Sequence, residues 1–447
     1  MNHGRYAEGD EDHALLARLV EEAAQETRFR IEEAAGTLTA LVLGGSLARG
    51  EGTVWRGAGG PVALSDLDLA VVLPAAAARE RAAEVAPAFK AGVARRLRGQ
   101  GLLGGFDLGV YAPEDLARQG PRPGTLEYRR HGRALWGPAE IVAGFPALKE
   151  SDVPPEEALV LLENRGAELL LAWPGAAGPE DGERALMAMY AGLKTRLDGA
   201  FALVLAEGSC PATGKARQAA LESWTTVEGR SETLRAVLPD FSGSTFVQDI
   251  GFWGAMKLAP DPPAIALRLG VVDPADVVAL GRRSWREGAR AWVACYRIVA
   301  SQLFGLPGAT PILPLAAHAA HRARPRRRLR RWWETARAWQ ALERSGRARW
   351  ALRQGPERMR LMFAGAPEHE LASTIAVLLG AWVEADKPEA PDWRVAMARW
   401  FPGECPEHME WDRCRRAAIR MWDTMEGGGA RTAWEVAPDT RVFAEDA

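Results

Sequence analysis

The tripeptide Asp66-Leu67-Asp68, running into the apolar stretch Leu69 to Leu73, limits what this chain can fold into more than any other feature. Leu67 to Leu73 reads as a strand ended by Pro74. Successive side chains of a strand alternate faces, so Asp66 and Asp68 point the same way while Leu67 and Leu69 point into the core. Two carboxylates side by side repel each other and are costly unless a cation sits between them. A pair of Mg²⁺ ions would resolve that strain, since Mg²⁺ favours a few carboxylates together with phosphate oxygens.

A second constraint lies upstream. Thr37 to Leu43 reads as a strand that stops at Gly44-Gly45-Ser46, a strand-to-turn signal. A strand running through a glycine turn into a helix presents backbone N–H groups at a positive helix end, a ready site for phosphate oxygens. Glycines let the backbone come close, and the Ser46 hydroxyl can donate to a phosphate. Helices are expected over about 13–35 and 75–98, and Phe106 to Tyr111 reads as a further strand that carries Asp107. If that strand lies beside the Asp66/Asp68 strand, three acids converge, and a triad of this kind suits group transfer by two metals.

The combination of a Gly-Ser turn, a D-x-D pair and one more acid on a neighbouring strand resembles the DNA-polymerase-β-like nucleotidyltransferase superfamily. The wording Gly45-Ser46-Leu47-Ala48-Arg49-Gly50 and Ser65-Asp66-Leu67-Asp68 is similar to its small antibiotic-modifying and minimal members, and 125–138 resembles the closing segment of such domains. The resemblance covers roughly 15–150. It implies an α+β nucleotidyltransferase fold, a mixed sheet with helices, in which Gly44, Gly45, Ser46 and Arg49 meet the nucleotide. Asp66, Asp68 and Asp107 would then be both the catalytic residues and the ligands of two Mg²⁺ ions. It further implies transfer of a nucleoside monophosphate, AMP from ATP in the first instance, to a hydroxyl acceptor with release of pyrophosphate. Twenty positions separate Ser46 from Asp66, more than is usual there, and the excess at Thr53 to Ala63 reads as a loop inserted at the mouth of the site. A D-x-D pair also serves glycosyltransferases, but those lack the Gly-Ser turn. The alternative is a catalytically inactive module of this fold that binds nucleotide or RNA.

Near residue 150 the pattern becomes helical. Ser151-Asp152, Pro154-Pro155 and Glu156-Glu157 predict a capped helix over about 155–172, and a second helix should run from Gly182 to Glu207. Two long helices packed as a hairpin resemble the HEPN-like partner domain of minimal nucleotidyltransferases. Lys194 and Asp198 lie one turn apart on the second helix, where the lysine could reach a triphosphate and the aspartate could orient an acceptor; the other reading is a surface ion pair. No histidine follows an arginine by four to seven positions, which argues against HEPN ribonuclease chemistry. The expected domains are a catalytic domain (1–150), the helical hairpin (151–240) and a helical C-terminal region (241–447).

The net charge of −2 hides a stretch, 322–360, with 14 arginines against Glu334, Glu343 and Glu357. Interleaved with Trp332, Trp333, Trp339 and Trp350, it could bind a nucleic-acid backbone, or it could be an amphipathic helix whose arginines pair internally; the second reading is preferred. The four cysteines fit a reducing compartment. Cys405, His408 and Cys414 lack a C-x-x-C pair and an obvious fourth ligand, so free thiols are preferred to zinc. The first residues have no secretory pattern, and apolar runs such as Leu169 to Trp173 fall short of the roughly 20 residues of a membrane span. A cytoplasmic protein with no membrane partner is expected.

Overall fold

The structure, a computed structural model, describes residues 4–57, 59–175, 182–238, 243–308, 310–321, 367–385, 394 and 410–425. The arginine-rich stretch 322–360, Cys405 and His408 lie outside the described residues; Cys414 is buried. The chain is an α+β protein. Its first part runs α1 (Asp10–Ala35), β1 (Ala40–Leu43), α2 (Gly45–Ala48), β2 (Val54–Gly57), β3 (Gly60–Ala63), β4 (Leu67–Val72), α3 (Ala76–Arg98), β5 (Phe106–Tyr111), α4 (Pro113–Ala117), α5 (Pro123–His131) and β6 (Arg133–Trp136).

Four strands form one mixed sheet in the order β5-β4-β1-β6, with β4 parallel to β5 and β1 antiparallel to both β4 and β6. Alternation along the strands sorts their side chains. Leu41, Leu43, Leu67, Leu69, Phe106 and Leu108 join α1 and α3 in one core. On the opposite face Ala40 and Val72 pack with Leu116 and Phe145, so this side is covered at one end of the strands. Asp68 and Asp107 stand on that second face toward the other end, where the cover stops.

Three local expectations are corrected. The segment Thr53 to Ala63 is no loop: Val54–Gly57 pairs antiparallel with Gly60–Ala63 as a hairpin. Its Trp55 is buried in a cluster with Leu186, Tyr190 and Trp253 of the helical part, so the insertion is a packing element. Second, Ser151 and Asp152 do not cap the next helix. They sit in a separate 3₁₀ turn, Glu150–Asp152, whose Asp152 carboxylate accepts from the Lys149 amide at 2.8 Å. The physical reason is Pro154: it holds Val153 extended at φ −74°, ψ 120°, and the helix cannot begin before the prolines. Third, the helix after the glycine turn is a single turn, Gly45–Ala48, too short to present a substantial macrodipole.

The helical part runs α6 (Glu157–Leu171), α7 (Gly182–Ala206), α8 (Gly214–Thr225), α9 (Arg230–Val237), α10 (Gly243–Leu258), α11 (Pro262–Leu269), α12 (Val277–Phe304), α13 (Ile312–His321), α14 (Pro367–Ala385) and α15 (Trp411–Met425). Helices α6 and α7 pack as the expected hairpin. Ala185 through Leu193 of α7 are all buried, because α12 covers the side that α6 leaves open. One apolar core takes in α6, α7, α12, α13, α14 and α15. Trp285 and Trp292 satisfy their indole N–H groups within it, Trp285 donating to the Leu169 carbonyl at 2.6 Å and Trp292 to that of Leu162 at 2.7 Å. No helix among the described residues is long and apolar enough to cross a membrane.

Candidate active site

Between the sheet and the helical part lies a cleft of ~970 Å³, lined by Gly45, Ser46, Asp66 and Asp68 on one wall and by Arg165, Lys194 and Asp198 on the other. The turn is held to the acid strand by its backbone, the Gly44 amide donating to the Asp68 carbonyl at 2.9 Å. Gly45 adopts φ +63°, and a Cβ there would overlap Asp68 Oδ2. The close approach of turn and carboxylate therefore needs glycine twice over, for its conformation and for its missing side chain.

Asp66 and Asp68 share a face, with Leu67 fully buried between them. Parallel pairing aligns Asp68 with Asp107 across the β4–β5 ladder. The two strands thus bring together the three acids singled out in the sequence, but each outer acid already has a lysine. Asp66 accepts from Lys194 Nζ at 2.6 Å and from the Gly105 amide at 3.0 Å, and Asp107 is paired with Lys90. Among the described residues no three acidic, histidine or cysteine side chains form a ready cation cage.

The electrostatics differ sharply between neighbours. Burial pushes the Asp66 carboxyl up, but Lys194 outweighs it and the group ends below its ordinary value. Burial also pushes Asp68 up, and Asp66 and Asp107 add to it, so that its pKa reaches about 7. Burial and the Asp68 charge hold the Tyr128 phenol protonated. The Asp68 charge is disfavoured by burial first and by two neighbouring carboxylates next, and a divalent cation bound among these oxygens would offset both.

Lys194 and Asp198 do not pair with each other. Burial and Arg165 act against the Lys194 charge, yet Asp66 and Glu168 outweigh them and hold it firmly charged. Asp198 turns to Arg165, whose Nε lies 3.0 Å from Oδ2, and to Arg217. Burial disfavours its charge, but the two guanidiniums keep it below the ordinary carboxylate range. Arg49, expected to face the nucleotide, is buried between Glu51, at 2.9 Å, and Glu127. It lines the cleft with both carboxylates already upon it, since a buried guanidinium needs such partners. The Ser46 hydroxyl, in contrast, makes no hydrogen bond among the described residues and borders the open space.

Sequence reasoning missed Lys90, Arg165, Glu168, Arg217 and Lys257. Lys257 on α10 lies 3.9 Å from Glu51, and burial pulls its ammonium down to about 8 although Glu51 opposes the shift. None of these residues belongs to a recognisable motif; each is an ordinary helix charge until the fold turns it inward. The apolar spacing of α7 did imply which of its faces is buried, and that alone could have directed Lys194 away from solvent. Comparisons with protein-family models, curated proteins and solved structures find no match for the chain.

Proposed function

We propose that the chain is a Mg²⁺-dependent nucleotidyltransferase of the polymerase-β-like type, which moves a nucleoside monophosphate, AMP in the first instance, from a triphosphate to a hydroxyl acceptor and releases pyrophosphate. The observation that carries this reading is Asp68, set against Gly45 in a cleft large enough for a nucleotide and paired in register with Asp107, which stands on the next strand outside the cleft lining. Asp66, Asp68 and Asp107 would hold two Mg²⁺ ions, which would neutralise triphosphate charge and favour the acceptor alkoxide. The amides that open the Gly44–Ser46 turn and the Ser46 hydroxyl would bind phosphate oxygens. Lys194 holds Asp66 ionised and stands ready to turn to the triphosphate once a cation takes its place. Tyr128, un-ionised behind Gly44, backs the turn and adds no negative charge.

The test offers α-labelled triphosphates with Mg²⁺ and a panel of acceptors: small hydroxyl compounds, RNA and the protein itself. Label should transfer to one acceptor class with release of pyrophosphate, and Asp66→Asn or Asp68→Asn should lower the rate at least about 100-fold. Unchanged turnover in either variant sinks the assignment.

One observation favours a second reading. With Lys194 on Asp66 and Lys90 on Asp107, two of the three acids are neutralised by the protein's own cations. A non-catalytic module that binds nucleotide needs nothing more, and saturable binding of Mg-ATP without pyrophosphate release under any acceptor would support it.

A further inference from the structure

A second cavity, of ~590 Å³, lies among α7, α10, α11 and α12 on the far side of α7 and α10 from the cleft. Four guanidiniums, of Arg196, Arg268, Arg290 and Arg297, line it against two carboxylates, Asp249 and Glu287. Both carboxylates are taken. Arg268 Nε holds Asp249 at 3.0 Å, and Arg290 holds Glu287 at 3.0 Å.

Arg196 is the anomaly. It is only 4% exposed, and among the described residues no carboxylate lies within ion-pair distance. One of its N–H groups donates to Ser284 Oγ at 3.2 Å, and that hydroxyl donates onward to the Met189 carbonyl at 2.9 Å. Its guanidinium lies 4.3 Å over the Trp253 ring. Burial pulls its pKa down to about 10, with Asp249 and Glu287 opposing from a distance. A buried cation without a paired anion is costly, and a methionine would pack on Trp253 equally well, so stacking alone does not account for a charge here. Much of the remaining wall is apolar, with Leu238, Phe246, Ile250, Trp253 and Leu269.

We infer that this cavity is a second binding site, for a small organic anion whose carboxylate or phosphate head pairs with Arg196 and whose apolar body lies against Trp253, Phe246 and Leu269. The planar guanidinium fork accepts either head in bidentate fashion, and the volume is that of ordinary small-molecule sites. The site stands whether or not the cleft handles nucleotides. The two cavities share elements: Arg196 lies between Lys194 and Asp198 on α7, and Ile250 lines both.

The experiment is a calorimetric titration of the full chain with octanoate, octyl phosphate and inorganic phosphate. One equivalent of octanoate or octyl phosphate should bind, the tighter of the two identifying the head group, while inorganic phosphate binds far more weakly. Arg196→Met should weaken that binding at least about tenfold. Ala291→Phe, which fills the cavity and leaves Arg196 in place, should abolish it, and this variant decides the matter if Arg196→Met does not fold. The proposal is overturned if neither amphiphilic anion binds, if inorganic phosphate binds as tightly as octyl phosphate, or if Ala291→Phe binds like the wild type.

Discussion

Asp68 carries the least comfortable charge in the cleft, since burial first, then Asp66 and Asp107, push its carboxyl up to about 7. The sign of the consequence follows from linkage. A carboxyl whose folded value exceeds its ordinary 3.8 stabilises the fold in full only below that value, and the contribution is lost as pH rises through about 7. Asp68→Asn removes the titration, so its melting temperature should exceed that of the wild type at pH 8 by more than it does at pH 5. Equal differences at both pH values, measured by thermal unfolding without metal, would show that Asp68 is not strained. Asp107→Asn should behave in the opposite way. It leaves the buried Lys90 ammonium without its partner and should cost about 1 kcal/mol, a figure kept small because Asp107 itself is solvated. Denaturant unfolding checks this, and a stability at or above that of the wild type would mean the Lys90–Asp107 pair contributes nothing.

Helices α7 and α12 meet through glycines. A Cβ on Gly192 would overlap the Ser284 carbonyl, and one on Gly288 would lie 2.7 Å from the Gly192 Cα. Glycine inside a helix costs roughly 0.5–1 kcal/mol relative to alanine, so its use here is compensated by the close crossing that it permits. Gly192→Val should therefore destabilise the protein by at least about 1–3 kcal/mol through enforced separation of the two helices. An unchanged melting temperature would show that the backbones do not touch. The same packing logic applies to the β2–β3 hairpin, which spends Trp55 on the helical core and leaves its exposed Arg56 to pair with Asp12.

At the scale of the molecule, the sheet and the helical part are joined by the apolar cluster around Trp55 and, at the cleft, by polar contacts. Lys194 reaches Asp66, Arg217 reaches Glu127, and the Gly214 amide donates to Glu51 at 2.8 Å. Beneath them the Tyr190 hydroxyl lies 3.4 Å from that of Thr53 and 3.5 Å from that of Ser65. Links between oppositely charged groups of separate layers should be energetically coupled. A double-mutant cycle of Lys194→Met and Asp66→Asn should give a coupling of about 0.5–3 kcal/mol in unfolding free energy. Strict additivity would mean that the two layers are not tied at this point.

Local periodicity sufficed for much of this architecture. Alternation alone put Asp66 and Asp68 on one face with Leu67 and Leu69 opposite, and the strand carrying Asp107 runs from Phe106 to Tyr111 as its residues imply. The spans of α3, α6 and α7 were likewise legible, because helical repeats of apolar residues are short-range facts. What caps α6 was misread, since Ser151 and Asp152 were locally plausible as caps and the two prolines after them decided the matter. The β2–β3 hairpin escaped because its four-residue strands, Val54–Gly57 and Gly60–Ala63, become strands by pairing and by burying Trp55, neither of which a single segment can announce. The register of Asp68 on Asp107, the lysines that occupy Asp66 and Asp107, and the arginine pairs around Asp198 and Glu127 were decided only by tertiary structure. Burial and charge proximity set which acid is ionised and which cation is left unpaired, and both depend on residues tens of positions apart in the chain.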